Sequence, residues 1–535
     1  MASPNRRLSR PFICLLGLIV GGCRVATGGG APVESPPLDL NLQSEVDRAP
    51  KPPRPQNAPP KGGTIGERLG VPGDIPGAGQ PPIRVPSADA VPPAERDRLL
   101  QELYDTLPGI PTDPVPATGE SLSLSDLQAR AMAEHPALRV ASAAVESARG
   151  AALQAGLPPN PAFGFEADTI GSGGTAGQQG AKYEQLIITA GKLKLAQSAA
   201  LMDVVNAQVA LRRAQIDVAT QVRSAYFSVL VAEENLRLTH ALCRFADAMF
   251  RVQVDQVKAG QAAPYEPIAI RALAEQAHVN LAQARNHYQA AWRQLAAAVG
   301  QPDLTPTRLT GVATMGEPNL DYEAVRDRML NCHTDLMTAA NTVVKARYHL
   351  TLARVTPTPD VNLKLVVQKD YTTPPFATTA NVEVGVPIPV WNRNQGGIHQ
   401  AEADVSKALS DIPRIRLELL TKLAEAYERY ITGRQTVDTY LMRILPDQVR
   451  AYRGIVERSQ QEPDRASFGD IVTAQQQLNS FLASYAAALQ QQWQAAVDLA
   501  ALAQLDDLYE FGAAVPGAAD VGGRRPAPDT PPANP

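Results

Sequence analysis

Cysteine and histidine side chains are the groups best able to hold a metal ion or act as nucleophiles, and the chain has only four and seven of them. Cys243 and Cys332 stand in different halves of the chain, with no C-x-x-C motif and no histidine at ligand spacing. This pattern predicts neither a zinc site nor a disulfide framework, and it is typical of cysteines packed in helices.

The other motifs also indicate no reaction chemistry. The histidines form no H-E-x-x-H motif, and no grouping of serine, histidine and acid can be argued. The Gly-rich stretch 171–182 lacks the G-K-[ST] ending of a phosphate-binding loop and is better explained as a flexible hairpin loop. We therefore predict no catalytic residue, no metal and no cofactor, and an enzyme is the weaker hypothesis.

One cysteine does predict a covalent modification. Residues 1–22 combine a basic start, an apolar run and small residues before Cys23, which is the pattern of a signal peptide whose core is too short to span a bilayer. Val20-Gly21-Gly22-Cys23 resembles a bacterial lipobox, which predicts a diacylglycerol and an acyl chain on Cys23. A cysteine placed there by chance is the alternative. Arg24 follows, and a residue other than Asp at this position permits sorting to the outer membrane.

Prolines divide the chain into unlike parts. Of the 46 prolines, 20 fall between residues 31 and 120, whereas long tracts further on have none. Proline fixes φ and lacks a backbone donor, so residues 23–118 are predicted to be an extended linker, with one or two helical turns over 94–106. Residues 513–535 are predicted to be a disordered tail. The net charge of −4 lacks the positive excess typical of proteins that bind nucleic acid.

The sequence between the linker and the tail indicates an internal duplication. His135-Pro136-Ala137-Leu138 is matched 198 residues later by His333-Thr334-Asp335-Leu336, and Ala225-Tyr226 is matched 201 residues later by Ala426-Tyr427. Chance similarity between Ala-rich helices is the alternative, but the matches keep the same order. We predict two repeats, over residues 119–310 and 311–512.

Each repeat is predicted to contain a helix, two strands and a long helical hairpin. In the first repeat, Ser125 is placed to cap the opening helix. Residues 193–258 contain neither Gly nor Pro, and as one helix they would extend roughly 100 Å at about 1.5 Å per residue. Pro413 and Pro446 are expected to interrupt the corresponding helix of the second repeat. The predicted helices cover 125–155, 193–258, 268–299, 398–460 and 468–505, and the predicted strands cover 162–169, 181–188, 360–368 and 380–390.

The strands alternate between apolar and polar side chains, as in Val361, Leu363 and Leu365 against Asn362 and Lys364. Such a sheet could cover a soluble core, or it could face lipid on one side and water on the other. Four strands cannot close a membrane barrel alone, so a barrel would need several chains. The 193–258 segment carries two apolar stripes, which indicates helical neighbours on both sides.

At this point the sequence resembles the TolC-type outer-membrane efflux family over about residues 122–505. The resemblance is carried by QAGLPPNPAFGFE before the first strand, QLIITAGKLKLAQSAA after the second, VGVPIPVWNRNQGGIHQAEADV in the second repeat, and FGDIVTAQQQLNSFLASYAAAL near the end. The phrases QAGLPPNP, TAGK and VPIPVWNRNQG look most like the heavy-metal cation (CzcC-like) branch.

The resemblance implies a mainly α fold with a small β part. Each of three protomers would contribute four strands to a 12-stranded outer-membrane β-barrel, continued by a periplasmic α-helical barrel. It implies passive export of metal cations or small toxic compounds, driven by an inner-membrane pump that is joined through a periplasmic adaptor. The homotrimer, the adaptor, the pump and outer-membrane lipid are the implied partners.

The resemblance also implies particular site residues. The helix-turn tips that would meet the adaptor are Gly260, Gln261 and Ala262 in the first repeat and Pro463, Asp464 and Arg465 in the second. Asp470 matches the first of two aspartates at the family's periplasmic constriction, and Thr473 stands where the second would be. A ring of three Asp470 carboxylates would attract cations, although Asp470 could equally serve the helix dipole.

A second function remains open at the level of the sequence. A lipid-tethered periplasmic coiled-coil scaffold or adaptor would also contain long helices. An adaptor, however, would carry β-rich segments around one helical hairpin, rather than two hairpins each introduced by amphipathic strands.

Overall fold

The computed structural model describes residues 74–81, 83, 91–104, 106–111, 121–314, 316–461 and 468–510. The leader 1–22, Cys23 and the tail 513–535 lie outside the described residues, as does most of the 23–118 linker. Contacts divide the chain into Met1–Pro82 and Ile83–Pro535. In the first unit, residues 74–81 form turns closed by the Ala78 to Ile75 and Gln80 to Gly77 backbone hydrogen bonds.

The second unit is mainly helical, with one small sheet. Its described helices are α1 (Pro93–Leu103), α2 (Leu124–Glu134), α3 (Pro136–Gly156), α4 (Lys192–Lys258), α5 (Glu266–Val299), α6 (Tyr322–Cys332), α7 (Thr334–Val355), α8 (Gln395–Thr439), α9 (Leu445–Gln461) and α10 (Phe468–Leu502). Its strands are β1 (Ala162–Asp168), β2 (Gln178–Ile187), β3 (Val361–Asp370) and β4 (Thr378–Gly385).

The opening helix of the first repeat differs from its prediction. Two helices, α2 and α3, replace the single helix over 125–155, because Pro136 begins α3 and His135 between them is extended. The predicted cap at Ser125 is wrong. Ser123 is the N-cap of α2, and it forms a capping box in which its side chain accepts from the Asp126 backbone while the Asp126 carboxylate accepts from the Ser123 backbone.

The long helices confirm the predicted hairpins. α4 is continuous over 67 residues, which at about 1.5 Å per residue is roughly 100 Å. The helix does not end at Pro413, since α8 runs through that residue, and a kink there stays a prediction. Before Pro446 the helix does change, to a π-helical segment over Tyr440–Ile444. Pro446 has no N–H to donate to the preceding turn, and the π-helical segment lies directly before it.

All four strands form one antiparallel sheet in the order β1-β2-β3-β4, so the two repeats meet at the β2–β3 pair. β4 ends at Gly385, which pairs with Asn362 next to the start of β3, and not at residue 390 as predicted. Beyond Gly385, β3 has almost no residue left to pair with β4. Pro387 and Pro389 also have no N–H to donate to a neighbouring strand.

The duplication is visible in side-chain contacts as well as in element order. His135 and His333 are the N-caps of α3 and α7, and the Nδ1 atom of each accepts from the backbone N–H two residues later, at 3.2 and 3.1 Å. Trp292 and Trp493, 201 residues apart, each donate Nε1–H to a backbone carbonyl, at 3.0 and 2.8 Å. The boundaries at residues 310 and 512 stay predictions.

The largest hydrophobic cluster joins helices of both repeats. Phe227 of α4 stacks on Trp493 of α10, with ring centroids 3.8 Å apart. Arg223 is buried in α4 and donates to the carbonyls of Leu505 and Asp506, just beyond the end of α10. The carbonyls that follow a helix end carry partial negative charge, so the guanidinium makes charge-assisted hydrogen bonds to them.

Among the described residues, no helix combines the length and the apolar character needed to cross a membrane.

Candidate functional site

One face of the sheet is apolar and exposed in the described chain. Phe163 and Phe165 of β1 are 79% and 69% exposed, and Val382 and Val384 of β4 are 67% and 62% exposed. The strand register places these side chains on one face, because Phe163 is opposite Tyr183, Tyr183 is opposite Leu365, and Leu365 is opposite Val382. An exposed apolar patch of this kind marks a surface that contacts lipid or protein.

The opposite face is polar and crossed by ion pairs. Lys364 of β3 contacts Glu166 of β1 at 2.8 Å and Lys182 contacts Glu184 at 3.3 Å. Gln368 donates to the Gln178 side chain at 2.6 Å. The predicted alternation is therefore confirmed, and the two faces of one sheet are suited to two different surroundings.

The first helical tip is a well-defined turn between α4 and α5. Gly260 has φ +76°, a left-handed value that glycine adopts without strain. Its N–H donates to Val257, and the N–H of Gln261 donates to Gln256, which together make a Schellman motif. Gly260 and Gln261 are exposed and Ala262 is half-buried, so this predicted tip does present a surface.

Part of the predicted linker packs beside that tip. Leu100 of α1 and the neighbouring Tyr104 are 1% and 6% exposed, and they form a cluster with Phe250, Val257 and Ile270 of the hairpin. The Tyr104 hydroxyl donates to the Pro264 carbonyl at 2.8 Å. The helical turns predicted over 94–106 are present as an 11-residue helix, roughly three turns rather than one or two, and this part of the linker is docked rather than extended.

The signal for this helix was present in the sequence. Pro93 stands at the first helical position, which favours initiation. Leu100, Leu103, Tyr104 and Leu107 follow at spacings of three, four and seven, which is an amphipathic stripe. Because of the surrounding prolines, the sequence predicted only one or two helical turns here and no docking on the hairpin.

The second tip and the proposed constriction are described only in part. Pro463, Asp464 and Arg465 lie outside the described residues. Asp470 is exposed in the first turn of α10, and Thr473 donates its hydroxyl to the Gly469 carbonyl at 2.8 Å, within its own helix. A ring of carboxylates requires more than one chain, so the constriction stays a prediction.

The chain is similar to a protein family, to a relative of known name and to solved structures. Residues 127–301 match the family of outer membrane efflux proteins. Over 392 residues the chain is 25% identical to the cobalt-zinc-cadmium resistance protein CzcC of Cupriavidus metallidurans, covering 73% of this chain and 91% of CzcC.

Solved structures show the same fold. The outer membrane protein VceC of Vibrio cholerae aligns with a TM-score of 0.57 at 17% identity, covering 71% of this chain and 96% of VceC. CusC, which forms a transmembrane channel, aligns with a TM-score of 0.58 at 16% identity, covering 73% of this chain and 96% of CusC.

The resemblance to the outer membrane efflux protein family is confirmed by the family match over residues 127–301 and by the similarity to CzcC. The chain's resemblance to the heavy-metal branch is also confirmed, because CzcC is a homologue over most of both chains.

Proposed function

We propose that this protein is the outer-membrane channel component of a tripartite efflux system. The observation that carries the proposal is the four-stranded sheet, with one exposed apolar face, one polar face and two open edges. It is a passive conduit, and an inner-membrane pump joined through a periplasmic adaptor supplies the energy.

The open edges favour an assembly of several chains. β1 and β4 are the edge strands of the sheet, and each leaves backbone donors and acceptors on its outer side. Lipid offers no hydrogen bonds to such groups, so a membrane sheet has to close on itself. Four strands are too few to close, whereas three copies would supply a 12-stranded β-barrel whose apolar face points to lipid. We therefore propose a homotrimer.

The helical hairpins form the periplasmic part in this proposal. Two helical runs of about 100 Å leave the same end of the sheet: α4 after β2, and α8 with the π-helical segment and α9 after β4. Both return through shorter helices, α5 and α10. Helices from three chains would continue the strands as an α-helical barrel. An adaptor would then bind at the first tip, Gly260–Ala262, together with the exposed side of α1. Residues 463–465 are the proposed contact of the second repeat.

The substrate class follows from one relative and one side chain. CzcC is named for resistance to cobalt, zinc and cadmium, which supports metal cations or small toxic compounds as cargo. Three Asp470 carboxylates at a constriction would favour cations over anions. The lipid on Cys23 would anchor each chain at the inner face of the outer membrane, with the part of the 23–118 linker that precedes α1 as tether.

Neighbouring residues on opposite faces of β4 test the membrane sheet. Val382→Arg places a charge on the proposed lipid face, where it costs about 2–4 kcal/mol near the bilayer centre. Asn381→Arg places the same charge on the polar face and is the matched control. We expect Val382→Arg to reduce the yield of heat-modifiable oligomer in the outer membrane at least tenfold, and Asn381→Arg to leave that yield within twofold of wild type.

The proposal also predicts how the protein is extracted and what it conducts. The wild-type protein should require detergent for release from membranes and should form pores in planar bilayers. Release by high salt alone, with equal yields of both variants, would instead favour the tethered scaffold.

A further inference from the structure

Three side chains capable of binding a metal meet between the helices of the first hairpin. Cys243 and Asp247 lie four residues apart on one face of α4, and His278 of α5 lies opposite them. His278 Nε2 is 3.0 Å from Asp247 Oδ1, and the nearest ligand atoms of all three residues lie within 4.8 Å of one another. The sequence places the histidine 35 residues after the cysteine, so spacing alone does not predict this contact.

The separation is close to what a tetrahedral metal site needs. Metal–sulfur and metal–nitrogen bonds of about 2.3 and 2.0 Å put neighbouring ligand atoms roughly 3.5 Å apart. The Asp247–His278 pair is already near that range, and all three ligand atoms lie within 4.8 Å, so binding would require a movement of about 1 Å. A thiolate, an imidazole and a carboxylate suit borderline-soft divalent ions such as Zn²⁺ and Co²⁺ rather than Mg²⁺ or Ca²⁺.

Burial makes this group costly without a positive charge. The exposed fractions of Cys243 and Asp247 are 0% and 3%. In the described part of the chain, the carboxylate of Asp247 accepts its hydrogen bond from His278 alone, and a buried carboxylate is expensive unless well compensated. A divalent ion would neutralise both the carboxylate and the thiolate.

The second repeat indicates that the fold does not require these residues. Ile444, Gln448 and Asn479 stand 201 residues after Cys243, Asp247 and His278, the same displacement that relates Trp292 to Trp493. The paired helices α9 and α10 of the second repeat therefore form with an apolar side chain and two amides at these positions, and Ile444 ends the π-helical segment before α9. The three ligands are a feature of the first repeat rather than of the architecture.

A pocket reaches Asp247, one of the three residues. Asp247 lines a pocket of about 650 Å³ between α4 and the segment that runs from Leu100 to Ile110. Arg251 and Asp255 line the same pocket farther toward the tip. A hydrated cation could reach Asp247 through this pocket without unfolding of the hairpin.

We propose that Cys243, Asp247 and His278 bind a divalent transition-metal ion of the zinc and cobalt class that links α4 to α5. Three protein ligands leave a fourth position for water. The site lies about 15 residues, roughly 22 Å, before the end of α4, so an occupied site would hold the two helices together near the first tip. The proposal stands on the geometry of one hairpin and is independent of channel activity.

Cobalt titration tests the site directly. The purified full-length protein in detergent is reduced, stripped with a chelator and titrated with Co²⁺, whose thiolate complexes show a near-ultraviolet charge-transfer band. We expect the band to saturate at one Co²⁺ per chain and to disappear on addition of Zn²⁺. Cys243→Ser should abolish it, and His278→Gln should weaken cobalt affinity at least about tenfold.

Matched variants separate this site from other thiols and histidines. Cys332→Ser removes an exposed cysteine of the second repeat, and His287→Gln removes an exposed histidine of α5. Both should leave the band unchanged, and circular dichroism confirms that each variant is folded. The proposal is overturned if wild type shows no charge-transfer band, if the band survives in Cys243→Ser, or if Cys332→Ser removes it. None of these results depends on conductance, so they leave the proposed channel function untouched.

Discussion

Histidines at equivalent positions of the two repeats cap helices in the same way. The Nδ1 atoms of His135 and His333 accept hydrogen bonds from the first turns of α3 and α7. A ring nitrogen accepts only while it is unprotonated, so both caps require a neutral imidazole. An N-cap of this type is worth on the order of 1 kcal/mol.

The cap at His333 predicts a pH dependence of stability. Burial lowers the pKa of His333, and Arg213 and Lys422 lower it further, while Asp335 opposes them. With a folded pKa below the unfolded value of about 6.5, this contribution to stability is complete above that pH and is lost as the pH falls below it. We expect the midpoint temperature of thermal unfolding to decrease as the pH is lowered from 7 to 5.

His333→Asn supplies the control for that prediction. Asparagine can accept the same backbone hydrogen bond but does not titrate, so the variant should lose less stability than wild type over this pH interval. Equal losses in the two proteins would contradict a role for His333.

Asp470 predicts an effect on conductance rather than on stability. Its carboxylate is exposed in the first turn of α10, and three copies at a constriction would bind cations. Asp470→Ala should raise the concentration of divalent cation needed to block the pore by about tenfold, or ~1.4 kcal/mol. Bilayer recordings measure this, with Glu146→Ala on the exposed side of α3 as control. Unchanged block would remove Asp470 from the proposed gate.

At the scale of elements, α1 shows that a Pro-rich linker can still contain a docked helix. Leu100 is almost completely buried against the hairpin. Leu100→Ala should destabilise this docking by at least about 2 kcal/mol and raise the rate of proteolysis between residues 91 and 111 roughly 30-fold. Gln101→Ala, on the exposed side of α1, should have little effect. Equal cleavage of both variants would show that α1 is not held by this contact.

The contact between β2 and β3 depends on a glycine. A Cβ atom at Gly180 would lie 2.6 Å from the Cβ atom of Gln368 and would also collide with the Val367 carbonyl. Gly180→Ala should therefore separate the strands, cost about 1–3 kcal/mol and lower the temperature at which the oligomer dissociates.

Gly164 offers the comparison within the same sheet. A Cβ there would approach only the flexible end of Lys182, at 3.0 Å from Cε, so Gly164→Ala should be tolerated. If both substitutions lower the dissociation temperature equally, the close approach at Gly180 is not the cause.

At the scale of the whole molecule, neither repeat completes its own surfaces. The sheet joins the repeats through β2 and β3, and the main core stacks Phe227 of one repeat on Trp493 of the other. The apolar face and the open sheet edges remain exposed in the described chain, which is why the proposed function needs lipid and further copies of the chain.

The proposed lipid at Cys23 can be separated from insertion of the strands. Cys23→Ser should abolish incorporation of labelled palmitate, whereas Cys14→Ser, within the leader, should not. Because the sheet rather than the lipid would hold the protein in the membrane, the oligomer of Cys23→Ser should still form and still require detergent. Labelling that persists in Cys23→Ser would contradict the lipobox.

Local patterns in the sequence were sufficient for much of the fold. The 67-residue α4 follows from a tract without Gly or Pro, and the two faces of the sheet follow from alternation with a period of two. The duplication follows from matched motifs such as those around His135 and His333, which proved to be matched helix caps. Each of these features depends on residues close together in the chain, so the sequence alone is enough to predict it.

The tertiary structure decided what depends on residues far apart in the chain. Packing against the hairpin stabilises α1, because burial of Leu100 and Tyr104 supplies free energy that the isolated Pro-rich segment lacks. The meeting of Cys243 and Asp247 with His278 depends on the register between α4 and α5, which side-chain packing along the whole hairpin determines. Residue spacing along the sequence predicts neither the register between α4 and α5 nor the docking of α1. Both arise from contacts that form only when the chain folds back on itself.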